Sequence, residues 1–331
     1  MSRLDQLNGW LDQVLQEKPH QLTAASADAS FRQYFRAHLE DGTTLIVMDA
    51  PPPHEDCRPF VKVAALFAEA GLNVPEILAQ DLEQGFLLLS DLGTQTFLDV
   101  LNEDNADVLF RDATDALVTW QLASKPGVLP PYDEALLRRE LSLFPDWYVA
   151  QHLKIELDEK QRNTLDNVLS TIVRYNLAQP SVYVHRDYMP RNLMVSTPSP
   201  GILDFQDAVY GPISYDVASL FKDAFISWEE ERVLDGAIRY WEKARKAGLP
   251  VRPDFGDFYR DFEWMGLQRH LKVLGIFARI NYRDGKPKYL ADTPRFMNYV
   301  RQVCVRYGEL KSLLRLLDTL EKCEPQFGYT F

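Results

Sequence analysis

The hydrophobic period of this 331-residue chain changes near Asp91-Leu92-Gly93, and that change constrains the fold more than any other feature. On the N-terminal side, Leu4, Leu7, Leu11, Val14 and Leu15 fall at helical spacing, with Pro19 beyond the helix end. Residues 30–36 then alternate loosely, Asp41-Gly42 is a hairpin turn signal, and residues 43–48 are β-branched and apolar, so two antiparallel strands are expected. Pro51-Pro52-Pro53 ends that segment, because proline has no N–H for a ladder. Residues 60–70 read as a helix capped by Gly71, and residues 74–78 and 85–89 as two further strands. From Phe97 onward the pattern is helical, interrupted only at residues 181–185, 193–196 and 201–205. The expected class is α+β in two lobes: a small antiparallel-sheet lobe over residues 1–92 and a larger, mostly helical lobe over residues 93–331. The length supports two cores over one.

The net charge of −12 argues against a general nucleic-acid binder, which needs Lys and Arg to neutralise phosphates. It leaves room for an anionic small ligand at a local basic cluster. The longest apolar runs, such as residues 86–89, are far too short to span a bilayer, and Met1-Ser2-Arg3-Leu4-Asp5 does not open a secretory signal. Cys57, Cys304 and Cys323 are sparse and unclustered, which suits free thiols in a reducing compartment better than disulfides or zinc. A cytoplasmic protein without membrane or nucleic-acid partners is expected; the oligomeric state is left open.

The segment that carries chemistry is His185-Arg186-Asp187-Tyr188-Met189-Pro190-Arg191-Asn192, followed by Ile202-Leu203-Asp204-Phe205. Asn192 lies five residues after Asp187, and Asp204 twelve after Asn192. This is the H-x-D-x-x-x-x-N…D-F spacing of kinase catalytic loops. Phosphoryl transfer to a hydroxyl asks for a carboxylate to take or orient the proton (Asp187). It also asks for an amide oxygen and a second carboxylate to hold Mg²⁺ (Asn192 and Asp204). Singly, Asp and Asn are common turn and cap residues; the strand, loop and strand context gives the spacing its weight.

On these motifs the chain resembles the aminoglycoside-phosphotransferase-like family of small-molecule kinases, over nearly its whole length. The resemblance implies a two-lobed protein-kinase-like fold with ATP and Mg²⁺ as cofactors. Leu88-Leu89-Ser90-Asp91-Leu92-Gly93 resembles the family's adenine-recognising hinge, so Leu89, Asp91 and Leu92 are implied nucleotide contacts. Asp216, after Gly211-Pro212, resembles the buried Asp that braces the catalytic loop, with His185 beside it. Residues 29–36, Met48-Asp49-Ala50-Pro51-Pro52 and the run from Leu267 to Gly275 look like a bacterial subgroup. That subgroup contains anomeric kinases of N-acetylmuramate and N-acetylglucosamine in cell-wall recycling. This implies C1 phosphorylation of an amino sugar.

Three departures from the kinase pattern stand out. No G-x-G-x-x-G precedes the first hairpin; the small residues of Ser26-Ala27-Asp28-Ala29-Ser30 take its place, with Ala29, Ser30, Phe31 and Arg32 as candidate nucleotide contacts. Leu45-Ile46-Val47-Met48-Asp49 lacks the phosphate-binding Lys of the family strand, so Lys62, Arg32 or Arg36 is expected to supply that charge, or Lys62 is simply a solvated helix residue. Gln206 follows Asp204-Phe205, and only eleven residues lie between Asp204 and Asp216, too few for an activation loop and peptide platform. The acceptor candidates are His54, Arg58, Arg191, Glu263, Gln268 and His270, polar residues of the kinds that bind sugar hydroxyls or anionic groups. Two alternatives remain beside the sugar kinase: a kinase of aminoglycosides or another small molecule, and a non-catalytic nucleotide-binding pseudokinase.

Overall fold

The computed structural model describes residues 2–26 and 31–321. The chain divides into two compact units, Met1–Trp120 with Pro190–Ala208, and Gln121–Met189 with Val209–Phe331. Asp91-Leu92-Gly93 lies inside the first.

The first unit opens with α1 (Arg3–Val14), started by a reciprocal capping box between Ser2 and Asp5. Its Leu7, Trp10 and Leu11 pack on Ala37, Val47, Phe86 and Leu88 of an antiparallel sheet. The strands are β1 (His20–Ser26), β2 (Gln33–Leu39) and β3 (Thr44–Asp49), then, after helix α2 (Arg58–Glu69), β4 (Ile77–Asp81) and β5 (Phe86–Ser90). Their order is β1-β2-β3-β5-β4. The edge strand β1 is an addition to the sequence-based expectation: His20-Gln21-Leu22-Thr23-Ala24 has too little apolar alternation to announce it. Strand β4 begins at Ile77, two residues past Pro75, which cannot donate to a ladder. Gly71 adopts φ +77° just beyond α2, as a helix cap requires. Gly85 at φ +76° is enforced more strictly, since a Cβ there would lie 2.0 Å from the Ala50 carbonyl oxygen.

Helices α3 (Phe97–Val100) and α4 (Ala106–Leu122) follow. Trp120 of α4 stacks on Phe67 of α2 with ring centroids 3.7 Å apart. Phe205 packs on Phe60 and Phe67 at 4.7 and 5.3 Å. The aromatic neighbour of Asp204 is thus fixed in the core of this unit.

The chain then passes through α5 (Glu134–Leu141), a π-helical turn over Phe144–His152, α6 (Glu159–Leu177) and β6 (Ser181–Val184) of the second unit. It contributes β7 (Leu193–Met194) and β8 (Gly201–Ile202) to the first unit and resumes the second with β9 (Val209–Pro212), the antiparallel partner of β6. Helices α7 (Tyr215–Phe221), α8 (Glu230–Ala247), α9 (Phe255–Asp284), α10 (Thr293–Arg306) and α11 (Lys311–Glu321) complete the helical remainder. The middle of α9 is buried on every face, as a helix at the heart of a core must be. At Gly275 a Cβ would come 2.3 Å from the backbone of Leu143, so that contact is closed to side chains. The α+β architecture matches the sequence-based class. Among the described residues, no helix is long and apolar enough to cross a membrane.

Candidate active site

In the second unit, the backbone around Asp187 is held at three successive residues. The His185 N–H donates to Asp216 Oδ2 at 2.7 Å and the Arg186 N–H to Asp216 Oδ1 at 3.0 Å. The Asp187 N–H donates to His185 Nδ1 at 3.2 Å, which leaves the ring proton of a neutral imidazole on Nε2. Asp216 sits in the first turn of α7, completely enclosed; burial pushes its carboxyl up to about 7 against the two N–H bonds that favour the charged form. Arg186 adopts φ +77°, a left-handed conformation that costs a non-glycine residue about 1–2 kcal/mol.

The Arg186 guanidinium reaches Glu140 of α5, with Nη2 donating to Oε1 at 2.6 Å. Lys272 Nζ lies 3.0 Å from the same oxygen, Gln268 Nε2 donates to Oε2 at 3.0 Å, and the Tyr132 hydroxyl also donates to Oε2. Burial alone would raise the Glu140 carboxyl, but Lys272 and Arg186 outweigh it and hold it at about 2. Neither Glu140 nor Lys272 was singled out from sequence as a site residue. The one available signal was the helical spacing that puts Gln268 and Lys272 on one face of α9.

In the first unit, Asn192 ends a short 3₁₀ turn and leads into β7, whose partner β8 leads to Asp204. The Leu203 N–H donates to the Asn192 carbonyl at 2.9 Å, which fixes the two motif segments side by side. Asn192 Nδ2 faces Asp204 Oδ2 at 3.4 Å, and Gln206 Nε2 donates to Asp204 Oδ1 at 2.8 Å. Asp204 also has a left-handed backbone, φ +62°. One carboxylate and one amide are the hard oxygen donors Mg²⁺ selects, so this pair fits the ion. Among the described residues, no group of three or more His, Cys, Asp and Glu side chains is arranged for a metal.

Of the expected nucleotide contacts, Ala29 and Ser30 lie outside the described residues. Phe31 is exposed and stacks on His54 at 4.8 Å. Arg32 pairs with Glu55 at 3.0 Å. Burial would lower its pKa, but Tyr34, Glu55, Asp207 and Asp204 together raise it. Lys62 is exposed on α2. Arg36 is committed to the segment after β5, donating to Asp91 at 2.6 Å and to the Gly93 carbonyl at 2.8 Å. Leu89 pairs with Ile46 in the sheet, and the Leu92 side chain lies against Gly201. Asp49, where the family strand has Lys nearby, is buried and bound to Arg3 at 2.6 Å. The pKa of the Arg32 guanidinium is raised in part by the Asp204 charge.

The acceptor candidates fall in two groups. In the first unit, Arg58 makes exposed pairs with Asp56 and Glu83, both at 3.2 Å, His54 stacks on Phe31, and Arg191 is half-buried. In the second unit, Glu263, Gln268 and His270 are buried on α9. Glu263 binds Arg306, accepts from the Tyr307 hydroxyl at 2.7 Å and lies 3.7 Å from Lys222. His270 stacks on Tyr299 at 4.9 Å, and burial, with Lys222 and Arg269 nearby, keeps it neutral.

Comparison with known proteins adds two findings. Residues 21–253 match the phosphotransferase enzyme family. An N-acetylmuramate/N-acetylglucosamine kinase of Pseudomonas aeruginosa is 58% identical over 329 residues, covering 96% of this chain and 97% of its own. The protein of the same name from Pseudomonas putida is 54% identical over the same shares. Among solved structures, a choline/ethanolamine kinase family protein from Mesorhizobium loti superposes with a TM-score of 0.64 at 14% identity, covering 96% of this chain and 100% of that one. An ADP-bound aminoglycoside phosphotransferase gives 0.61 at 13%, covering 90% and 98%. These two share the protein-kinase-like fold.

Proposed function

The chain belongs to the phosphotransferase enzyme family, and from that premise we propose that it transfers a phosphoryl group from ATP to the anomeric (C1) hydroxyl of N-acetylmuramate and N-acetylglucosamine, in the recycling of bacterial cell-wall sugars. The 58% identity to a kinase of that name, over nearly the whole of both chains, is the observation that carries the reading.

In this mechanism Asp187 orients the acceptor hydroxyl and takes its proton. A hemiacetal hydroxyl is more acidic than a simple alcohol, so a carboxylate is a sufficient base. The fixed N–H groups of residues 185–187 keep that carboxylate's backbone in place, so little reorganisation is needed at the moment of reaction. Asn192 and Asp204 would hold Mg²⁺, which would screen the charge of the phosphate oxygens. Arg32 supplies the positive charge that β3 lacks, and its interaction with Asp204 supports this. The backbone of residues 89–92 recognises adenine, and the Arg36–Asp91 pair keeps that segment rigid. Only four residues of chain separate Asp187 from Asn192, so one loop serves both acceptor and metal. The reaction is placed in the cytoplasm, where ATP is available.

ATP consumption measured with N-acetylmuramate, N-acetylglucosamine, aminoglycosides and choline, with product NMR, tests the reading. The expected result is turnover of the two amino sugars with phosphate on C1. Turnover of aminoglycosides or choline alone, or nucleotide binding without turnover on any acceptor, would overturn it.

A further inference from the structure

We infer that Glu140 is a positioning residue for the catalytic loop: by anchoring the Arg186 side chain, it sustains the left-handed backbone that aims Asp187. The inference rests on the proposed role of Asp187 as base and adds a residue that lies 46 positions from the loop in sequence.

Arg186 is the residue immediately before Asp187, and its φ of +77° belongs to glycine's part of conformational space. Nothing in an arginine side chain favours that backbone, so the surroundings must enforce it. They do so from two sides. Asp216 holds the Arg186 N–H at 3.0 Å, and Glu140 holds its guanidinium at 2.6 Å. Glu140 is itself immobile: it is 5% exposed and receives donors from Arg186, Lys272, Gln268 and Tyr132. Lys272 is tied in turn to the Tyr215 hydroxyl at 3.1 Å, next door to Asp216. A strained residue clamped at backbone and side chain, one position from a proposed catalytic carboxylate, is a device for setting that carboxylate's direction. A salt bridge meant only to hold α5 to the core would not need its arginine in a glycine conformation.

Glycine accepts φ +77° without strain, so Arg186→Gly separates positioning from folding. In the full-length protein we expect a folded chain by circular dichroism with a lowered thermal midpoint, since Glu140 loses one of its donors, and kinetics are read well below that midpoint. We expect kcat to fall about tenfold to a hundredfold, with KM for ATP and sugar within about twofold. The acid limb of kcat against pH should not move; a shifted limb would assign the loss to the missing charge and overturn positioning. Adding Glu140→Gln to Arg186→Gly should lower kcat no further, because the tether is already gone. Parental kcat in Arg186→Gly, or losses that multiply in the double variant, would overturn the inference. Asp187→Asn keeps the two levels apart. Retained turnover there overturns both the base assignment and the inference built on it; lost turnover there with parental kcat in Arg186→Gly overturns the positioning role alone.

Discussion

The two units hold their parts of the proposed machinery by different physics. Around Asp187, in the second unit, the supporting groups are buried and multiply bonded: Asp216 takes two backbone N–H groups and Glu140 takes four donors. Around Asp204, in the first unit, Gln206 Nε2 donates to Oδ1 at 2.8 Å. The Asn192 amide stands 3.4 Å away, beyond an ordinary N–H···O distance, and Arg32, which interacts electrostatically with Asp204, is only partly buried. A multiply bonded buried network is rigid but costly to break. A looser polar pair costs less to rearrange and suits a group that must close on a metal and a nucleotide. Under the proposed roles, we expect the acceptor side to be built in advance and the nucleotide side to be completed by what it binds.

Substitutions sharpen or break that contrast. Asp187→Asn is expected to lower kcat about 10²–10⁴-fold without changing the fold, measured by steady-state turnover and circular dichroism. Glu140→Gln removes one partner of a buried network and should cost about 3–5 kcal/mol in denaturant unfolding at neutral pH. The Glu140 carboxyl, lowered in the fold from 4.5 to about 2, binds fewer protons there than in the unfolded chain. Its contribution is therefore complete above pH 4.5 and lost as pH falls towards 2, so the parent and Glu140→Gln should converge in stability across that window. Gln206→Ala loosens the Asp204 carboxylate and should raise the Mg²⁺ concentration for half-maximal activity about tenfold, with little change in stability. Arg32→Ala should raise the KM for ATP by up to about tenfold, against less than about twofold for Lys62→Ala; equal effects would remove Arg32 from its assigned place. Arg58→Ala, on an exposed pair, should leave unfolding free energy within about 0.5 kcal/mol. If the first-unit variants cost as much stability as Glu140→Gln, the distinction between a prebuilt and a ligand-completed side falls.

Sequence was most informative where the signal was local. The Asp41-Gly42 hairpin and the Gly71 cap depend on neighbours in the chain, and the structure has both. Strand β1 carries mostly polar residues at a sheet edge, and β9 ends in Gly211-Pro212, so neither shows the alternation that marks a strand. The Glu140 hub was illegible for a different reason: three of its four partners stand 46, 128 and 132 positions away, and a lone Glu on an amphipathic helix reads as surface. Likewise, the stacking of Trp120 on Phe67 puts much of α4 in the first unit, although its residues continue the helical period seen after Gly93. Asp49 gave no sign that its partner would be Arg3, which closes the end of β3 instead of leaving it to a ligand.

Phe205 gives the first unit an evolutionary constraint of its own. Because its ring shares a core with Phe60 and Phe67, and Phe67 with Trp120, the position of the neighbouring Asp204 depends on the volumes of residues that never meet solvent or substrate. Exchanges among large apolar side chains usually cost a core little stability. Here the same exchanges would move a proposed metal-binding carboxylate, so drift that is neutral for folding is not neutral for catalysis.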